Sequence, residues 1–292
     1  ARRALNLSAA RRATRSAAFD PAAQYYGAAF AHLGESPWEE NYEETLAIHV
    51  EGARAAYLVG DEPRMNQLLD VAIERAKTVL DRVAAREVRI QAMVAAPRLK
   101  DAITLAFEVL GALGVEVPLE PTEEETAVVI GRVVARLEGR DVADLEQLPA
   151  VTDRRAAAAM RVIHGIISSC YLAAPELVPI VTGRLVEATL DHGLGATSGY
   201  GFAVLGLVLN VTGATPLAYR FGSIALALAA RPEHRAAQPK TEHVVRTHIY
   251  AFVDPVQAAL EPEQRSFQRA MDVGDLEFAG WALHISVVYG FY

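Results

Sequence analysis

The sequence has little of what a secreted, fibrous or membrane-spanning chain needs. It has one cysteine, Cys170, in 292 residues, which rules out an internal disulfide and points to a reducing, cytoplasmic setting. Glycine and proline, at 20 and 14 residues, are too few for a collagenous or low-complexity chain. No apolar run approaches the ~20 residues that span a bilayer. The stretch from Gly193 to Tyr219 has no Lys, Arg, Asp or Glu, but Asn210, Thr212, Gly213 and Pro216 interrupt it. Positive charge is short as well. A formal net charge of -8 argues against nucleic acid as a partner, because phosphate binding needs a clustered basic surface. The exception is the start, where Arg2, Arg3, Arg11, Arg12 and Arg15 occur with no acid among them, and a solvated helix face accounts for it best. Sustained strand alternation is missing, so no sheet is expected.

What the sequence has in quantity is alanine, leucine and valine, in a chain 52% hydrophobic but only 7% aromatic. Alanine has the highest helix propensity and lets helices approach closely, so a nearly all-helical protein is expected. In "PRMNQLLDVAIERAKT", Met65, Leu68, Leu69, Ala72, Ile73 and Ala76 share one face while Arg64, Asn66, Asp70, Glu74 and Lys77 take the other. Start signals recur at Asp20-Pro21, Ser36-Pro37, Asp61 with Pro63, and Thr122 before three glutamates. Stop signals recur at Gly34, Gly60, Gly114, Gly193, Gly213 and Gly274, residues that can adopt the left-handed conformation closing a helix.

These signals predict helices over 2–16, 20–33, 38–59, 63–78, 81–95, 98–113, 123–138, 152–172, 175–192, 196–212, 215–230, 238–252, 256–273 and 275–290. Short connections make consecutive helices antiparallel neighbours. The longer stretch 139–150, "GRDVADLEQLPA", is expected to hold a short extra helix and to join blocks 1–138 and 151–292 of a single helical-repeat domain.

Turn chemistry repeats along the chain. "GDEPRM" at 60–65, "GATPLA" at 213–218 and "GDLEFA" at 274–279 align on Gly60, Gly213 and Gly274, with Asp61 or Asp275 next in two of them. Five residues after the glycine stands Met65, Ala218 or Ala279, and Pro97 and Ala102 keep the same offset. A small residue there suits a close crossing of paired helices. The 37-residue step from Gly60 to Pro97 is near the period of about 34 of tetratricopeptide repeats, although no unit carries that repeat's full aromatic pattern. The expected architecture is an all-α, tetratricopeptide-like solenoid of antiparallel helix pairs.

The stretches "EGARAAYLVGDEPRMNQLLDVAIERA", "LGVEVPLEPTEEE", "YLAAPELVPIVTGRLVEATLDHG", "AYRFGSIALALA" and "VGDLEFAGWALH" resemble, in this order, the tetratricopeptide-like helical region of large bacterial signalling proteins. In such proteins a serine/threonine kinase-like domain and a signal-transduction ATPase module precede that region, and GAF and histidine-kinase domains follow it. The resemblance covers nearly the whole chain, and the catalytic domains of such proteins lie outside the resembling region. The helix signals, the repeated turns and the lack of a catalytic constellation lead to the expectation of a non-catalytic protein-interaction and regulatory scaffold in the cytoplasm. Its partners would be neighbouring domains or a partner helix or peptide. A start at Ala1 and an end in "VVYGFY" within a helical pattern also suggest a piece excised from a longer polypeptide, whose exposed end helices could drive homo-oligomer formation.

No catalytic, cofactor or metal site is expected. "GLGATSGYG" at 193–201 lacks the P-loop lysine and follows a helix rather than a strand. His243 and His248, five apart on a helix, differ by about 140° in direction and so miss the i, i+4 zinc spacing. His49, His164 and His284 read as core or groove histidines, and Cys170 as a small buried hydrophobe. Trp38 and Trp281 read as packing between repeats, and Glu123, Glu124 and Glu125 as first-turn charges on a helix dipole. Tyr57, His248, Tyr250, Trp281 and His284 are the candidate groove residues. In "GDLEFAGWALH", the grouping of Asp275, Glu277, Trp281 and His284 reads as a repeat boundary. One alternative function is a small-molecule sensor with an apolar pocket near "YGFAVLGLVLN" and "HIYAF". Another is a free-standing helical enzyme, which would show a convergent polar pocket.

Overall fold

A computed structural model describes residues 2–291, apart from the side chains of Val142 and Val256. Helix makes up 79% of the chain, and the described residues contain no strand. The expected all-α class is the observed one.

Packing divides the chain into two units, Ala1–Leu113 and Gly114–Tyr292. The first contains α1 (Arg2–Arg15), α2 (Phe19–Ala31), α3 (Pro37–Glu40), α4 (Tyr42–Leu58), α5 (Glu62–Arg75), α6 (Val79–Ala95) and α7 (Leu99–Leu113). The second contains α8 (Glu123–Leu137), α9 (Val142–Glu146), α10 (Arg154–Ala173), α11 (Val178–His192), α12 (Ser198–Val211), α13 (Thr215–Ala229), α14 (Gln238–His248), α15 (Leu260–Val273) and α16 (Leu276–Tyr289). The short α9 falls inside 139–150, where an extra helix was expected. The division between units lies earlier than that stretch, because α8 packs on α11 within the second unit.

Capping explains where many helices begin. Asp61 accepts from the Arg64 amide at 3.0 Å, and Thr122 and Glu125 form a reciprocal capping box. The expected helix 38–59 breaks because Asn41 caps α4 through the Glu44 amide. The expected helix 63–78 stops at Arg75, because Ala76 turns extended and Thr78 and Asp81 form a new capping box for α6. Gly34 closes no helix: α2 ends at Ala31, and Gly34 is absent from the glycines of positive φ.

Gly60, Gly213 and Gly274 share one geometry, with φ of 77°, 86° and 76°. The residue after each glycine donates its amide five residues back, Asp61 to Ala56 at 2.9 Å, Ala214 to Leu209 at 2.9 Å and Asp275 to Ala270 at 2.8 Å. Each glycine amide bonds the carbonyl three residues back, on Tyr57, Asn210 or Met271. Together these two bonds satisfy helix-end carbonyls in the Schellman arrangement. The same five-back bond joins Ala18 to Ala13 and Arg98 to Met93. Five helix hairpins, α1–α2, α4–α5, α6–α7, α12–α13 and α15–α16, therefore turn alike. Five residues past each turn centre lies a buried residue of the second helix: Ala22, Met65, Ala102, Ala218 or Ala279. Where α12 crosses α13 the backbones nearly touch, since a Cβ on Gly206 would stand 3.1 Å from the Ala218 carbonyl oxygen.

In the second unit α10, α12, α14 and α16 contact one another in that order, with α11, α13 and α15 packed behind them. α12 is apolar all round, and Ser198 through Asn210 are all buried. In the first unit the arginine-rich start pairs with acids of α4: Arg3 bonds Glu44, and both oxygens of Glu51 receive Arg11 at 2.8 Å. α10, at 20 residues, meets the length and composition of a membrane span, but 56% of its apolar window is buried among the other helices. α12, drawn from the most membrane-like stretch of sequence, has only 14 residues.

Candidate functional site

The row α10, α12, α14 and α16, with Val178 at the start of α11, lines an open cavity of about 200 Å³. α10 supplies Ile167, Ser168, Tyr171 and Leu172, and α12 supplies Tyr200, Val204 and Leu207. α14 adds His243, Val244 and His248, and α16 adds Glu277, Phe278, Trp281, His284 and Ile285. On each helix these residues recur at three or four positions, the spacing that lines one face. Tyr200 and Phe278 meet edge to face at 6.2 Å, and Tyr171 stands edge-on to His248 at 6.0 Å.

The polar groups are tied down in two clusters. In one, His243 Nδ1 lies 2.8 Å from Glu263 Oε2, and the Glu263 carboxyl is fully buried with Oε1 unpartnered. This pair fixes the imidazole, and His243 lines the cavity. His248 is held by Thr247, whose Oγ1 lies 2.6 Å from Nδ1, and its pKa falls to about 4, first through burial and then through the neighbouring His243. His248 is therefore neutral near pH 7. In the other cluster Lys240 bonds Asp275 at 3.2 Å and lies 4.9 Å from the Phe278 ring centre. Glu277 is exposed as a residue and lines the cavity mouth beside Ser168 and Trp281, both of which can offer its carboxylate hydrogen bonds. Burial raises its pKa, against the lowering pull of Lys240 and those bonds. Burial also pushes the Tyr200 phenol upward. His164, edge-on to Tyr200 at 5.1 Å, has a buried Nε2 without a partner, and desolvation holds its pKa well below the usual range.

Of the candidate groove residues, His248, Trp281 and His284 come together here. His243 joins them, because α14 ends at His248 and the two rings, 6.1 Å apart, reach the cavity around its last turn. Tyr250 lies outside it, stacked on Tyr219 at 4.2 Å with its hydroxyl 3.0 Å from Ser223 Oγ. Tyr57 belongs to the first unit and lines a separate cavity of about 280 Å³ with Met65 and Arg89. The turn residues Asp61, Gly213, Ala218, Gly274, Asp275 and Ala279 are backbone and packing elements, and Asp275 caps α16 through the Phe278 amide at 3.2 Å. Glu277 was legible within the grouping of Asp275, Trp281 and His284, there read as a repeat boundary, and Glu263 carried no signal at all. The glycines of 193–201 are packing positions: a Cβ on Gly199 would meet the Ala225 carbonyl oxygen at 3.2 Å, and one on Gly201 would meet Leu185 at 3.1 Å. Cys170 is buried, and its thiol pKa is pushed up to about 12 by burial and by Glu176, which keeps it in the protonated thiol form near neutral pH.

No protein-family profile matches the chain. It is 23% identical over 312 residues to hybrid signal transduction histidine kinase G of Dictyostelium discoideum. The chain resembles part of a signalling kinase. The alignment takes in 95% of the chain but only 9% of that protein, so the chain spans less than a tenth of its relative. This similarity supports a signalling context. The cavity has apolar walls and a few fixed polar groups.

Proposed function

We propose that this chain is a non-catalytic, tetratricopeptide-like helical region that regulates a larger signalling protein by binding other parts of it or a partner peptide. The observation that carries the reading is the recurrence of one hairpin geometry, from Ala13–Ala18 through Ala270–Asp275, in a chain that aligns almost end to end with a small part of a signalling histidine kinase. Such hairpins stack, each burying its neighbour's apolar face, and a row of inner helices presents an extended surface. Regulation then consists of a binding free energy that differs between two states of the attached catalytic modules. The test is direct. Purified chain incubated with labelled Mg·ATP is expected to show neither hydrolysis nor phosphorylation of its own histidines above a heat-denatured control, and turnover that survives purification would refute the non-catalytic reading.

The cavity in the second unit favours a second reading beside the first, small-molecule sensing. Trp281 on its wall supplies the readout, since a ligand seated there alters that residue's emission. A metabolite-sized ligand that raised the unfolding temperature of the chain would support sensing over scaffolding alone.

A further inference from the structure

The cavity has an unbalanced charge. Among its sixteen lining residues there is no lysine or arginine, and Glu277 is the only carboxylate. The nearest ammonium, Lys240, is matched by Asp275 at 3.2 Å, so the trio of Lys240, Asp275 and Glu277 carries one surplus negative charge. His248 adds no positive charge at neutral pH. Glu277 lines the cavity together with aromatic side chains of three helices: Tyr171 of α10, Tyr200 of α12, and Phe278 and Trp281 of α16. Two of these rings already accept an ammonium, because Lys240 Nζ sits 4.9 Å from the Phe278 ring centre and 5.7 Å from that of Tyr200, which leaves the Trp281 and Tyr171 rings without a cation among the described residues. Ring faces attract cations through their quadrupole, and a carboxylate on the same wall adds an attraction of the same sign.

We propose that this cavity binds a small organic ammonium compound, its apolar body against Val204, Leu207 and Ile285 and its charged nitrogen between Glu277 and the Trp281 and Tyr171 rings. A quaternary or alkylated ammonium suits it better than a primary amine, since three N–H donors would need acceptors and Glu277 is the one carboxylate present. A volume of about 200 Å³ lies below the usual 300–1,000 Å³ of drug-sized sites and fits a ligand the size of a simple metabolite. The assignment rests on the sensing reading and supplies its ligand chemistry.

The experiment uses the full chain with Trp38→Phe, so that Trp281 alone reports. Benzyltrimethylammonium, its uncharged isostere neopentylbenzene and the anion phenylmethanesulfonate are titrated in parallel. The ammonium is expected to bind at least tenfold more tightly than either of the others, and Glu277→Gln is expected to cost about tenfold for the ammonium and under threefold for neopentylbenzene. Glu277→Asp should recover part of the loss, and circular dichroism of each variant checks that it is folded. Equal binding of ammonium and neopentylbenzene would overturn the charge assignment while leaving a sensing cavity. An unmoved Trp281 signal with all three probes would overturn both. A trimethyllysine peptide binding much more tightly than free ammonium would also overturn the proposal, by moving the site to a protein partner.

Discussion

Replacing His243 with leucine leaves the Glu263 carboxyl fully buried with neither oxygen bonded, because Oε1 already lacks a partner and Oε2 faces only the imidazole at 2.8 Å. Removing one member of a buried pair costs roughly 3–5 kcal/mol, since the remaining group keeps its desolvation penalty without compensation. In a unit of this size that corresponds to a fall of about 6–20 °C in Tm. Replacing both residues, with His243→Leu and Glu263→Met, removes the buried carboxyl as well as its partner. The double variant should therefore be more stable than His243→Leu alone by at least ~2 kcal/mol. The assay is urea unfolding followed by circular dichroism and by Trp281 emission in a Trp38→Phe background, which reports on the second unit. A loss below ~1 kcal/mol for His243→Leu, or a double variant that loses the sum of the two single losses, would refute the buried-pair account.

Alanine at Gly60, Gly213 or Gly274 meets no neighbouring atom, so only the left-handed backbone is penalised, by about 1 kcal/mol each; a denaturation midpoint unchanged by all three would contradict the shared turn. Gly206→Ala behaves differently, because its Cβ would come 2.5 Å from Ile249 Cδ1 and 3.1 Å from the Ala218 carbonyl; calorimetry should show a loss of roughly 1–3 kcal/mol in the second unit. His248, with a folded pKa of about 4 against 6.5 for an ordinary histidine, leaves the unfolded state to take up protons first. Its contribution to stability is complete above about pH 6.5 and falls as pH drops toward 4, by up to about 3 kcal/mol at 1.36 kcal/mol per pKa unit. His164 acts in the same direction. Urea midpoints at pH 7 and pH 5 should differ less in His248→Phe than in the parent chain.

The sequence made the helices legible because their ends carry local chemistry. Asp61, Thr122 and Asp275 are short acceptors beside orphan amides, and Gly60, Gly213 and Gly274 are residues that reverse the backbone without strain. The α1–α2 connection was legible, but its kinship with the repeated turns was not, because Ala17, at φ 54°, takes the place of glycine. The end of α5 escaped notice for the opposite reason: neither glycine nor proline marks it, and the informative signal is the Thr78–Asp81 box that starts the next helix. The cavity was legible only in part. His248, Trp281 and His284 stood out as polar or bulky residues in an apolar pattern. The Glu263–His243 contact joins different helices, and Glu277 performs two tasks at once, as a first-turn charge and as the cavity's carboxylate. Tyr57 and Tyr250 were indistinguishable by pattern from the residues that do converge.

The proposed ligand-binding surface lies on α10, α12, α14 and α16 of the second unit. Hydrogen exchange of the full chain, with and without saturating benzyltrimethylammonium, tests it most directly. Protection is predicted to rise in α10, α14 and α16 and to stay unchanged in Ala1–Leu113. Protection confined to the first unit, or no change anywhere at a saturating concentration, would contradict it.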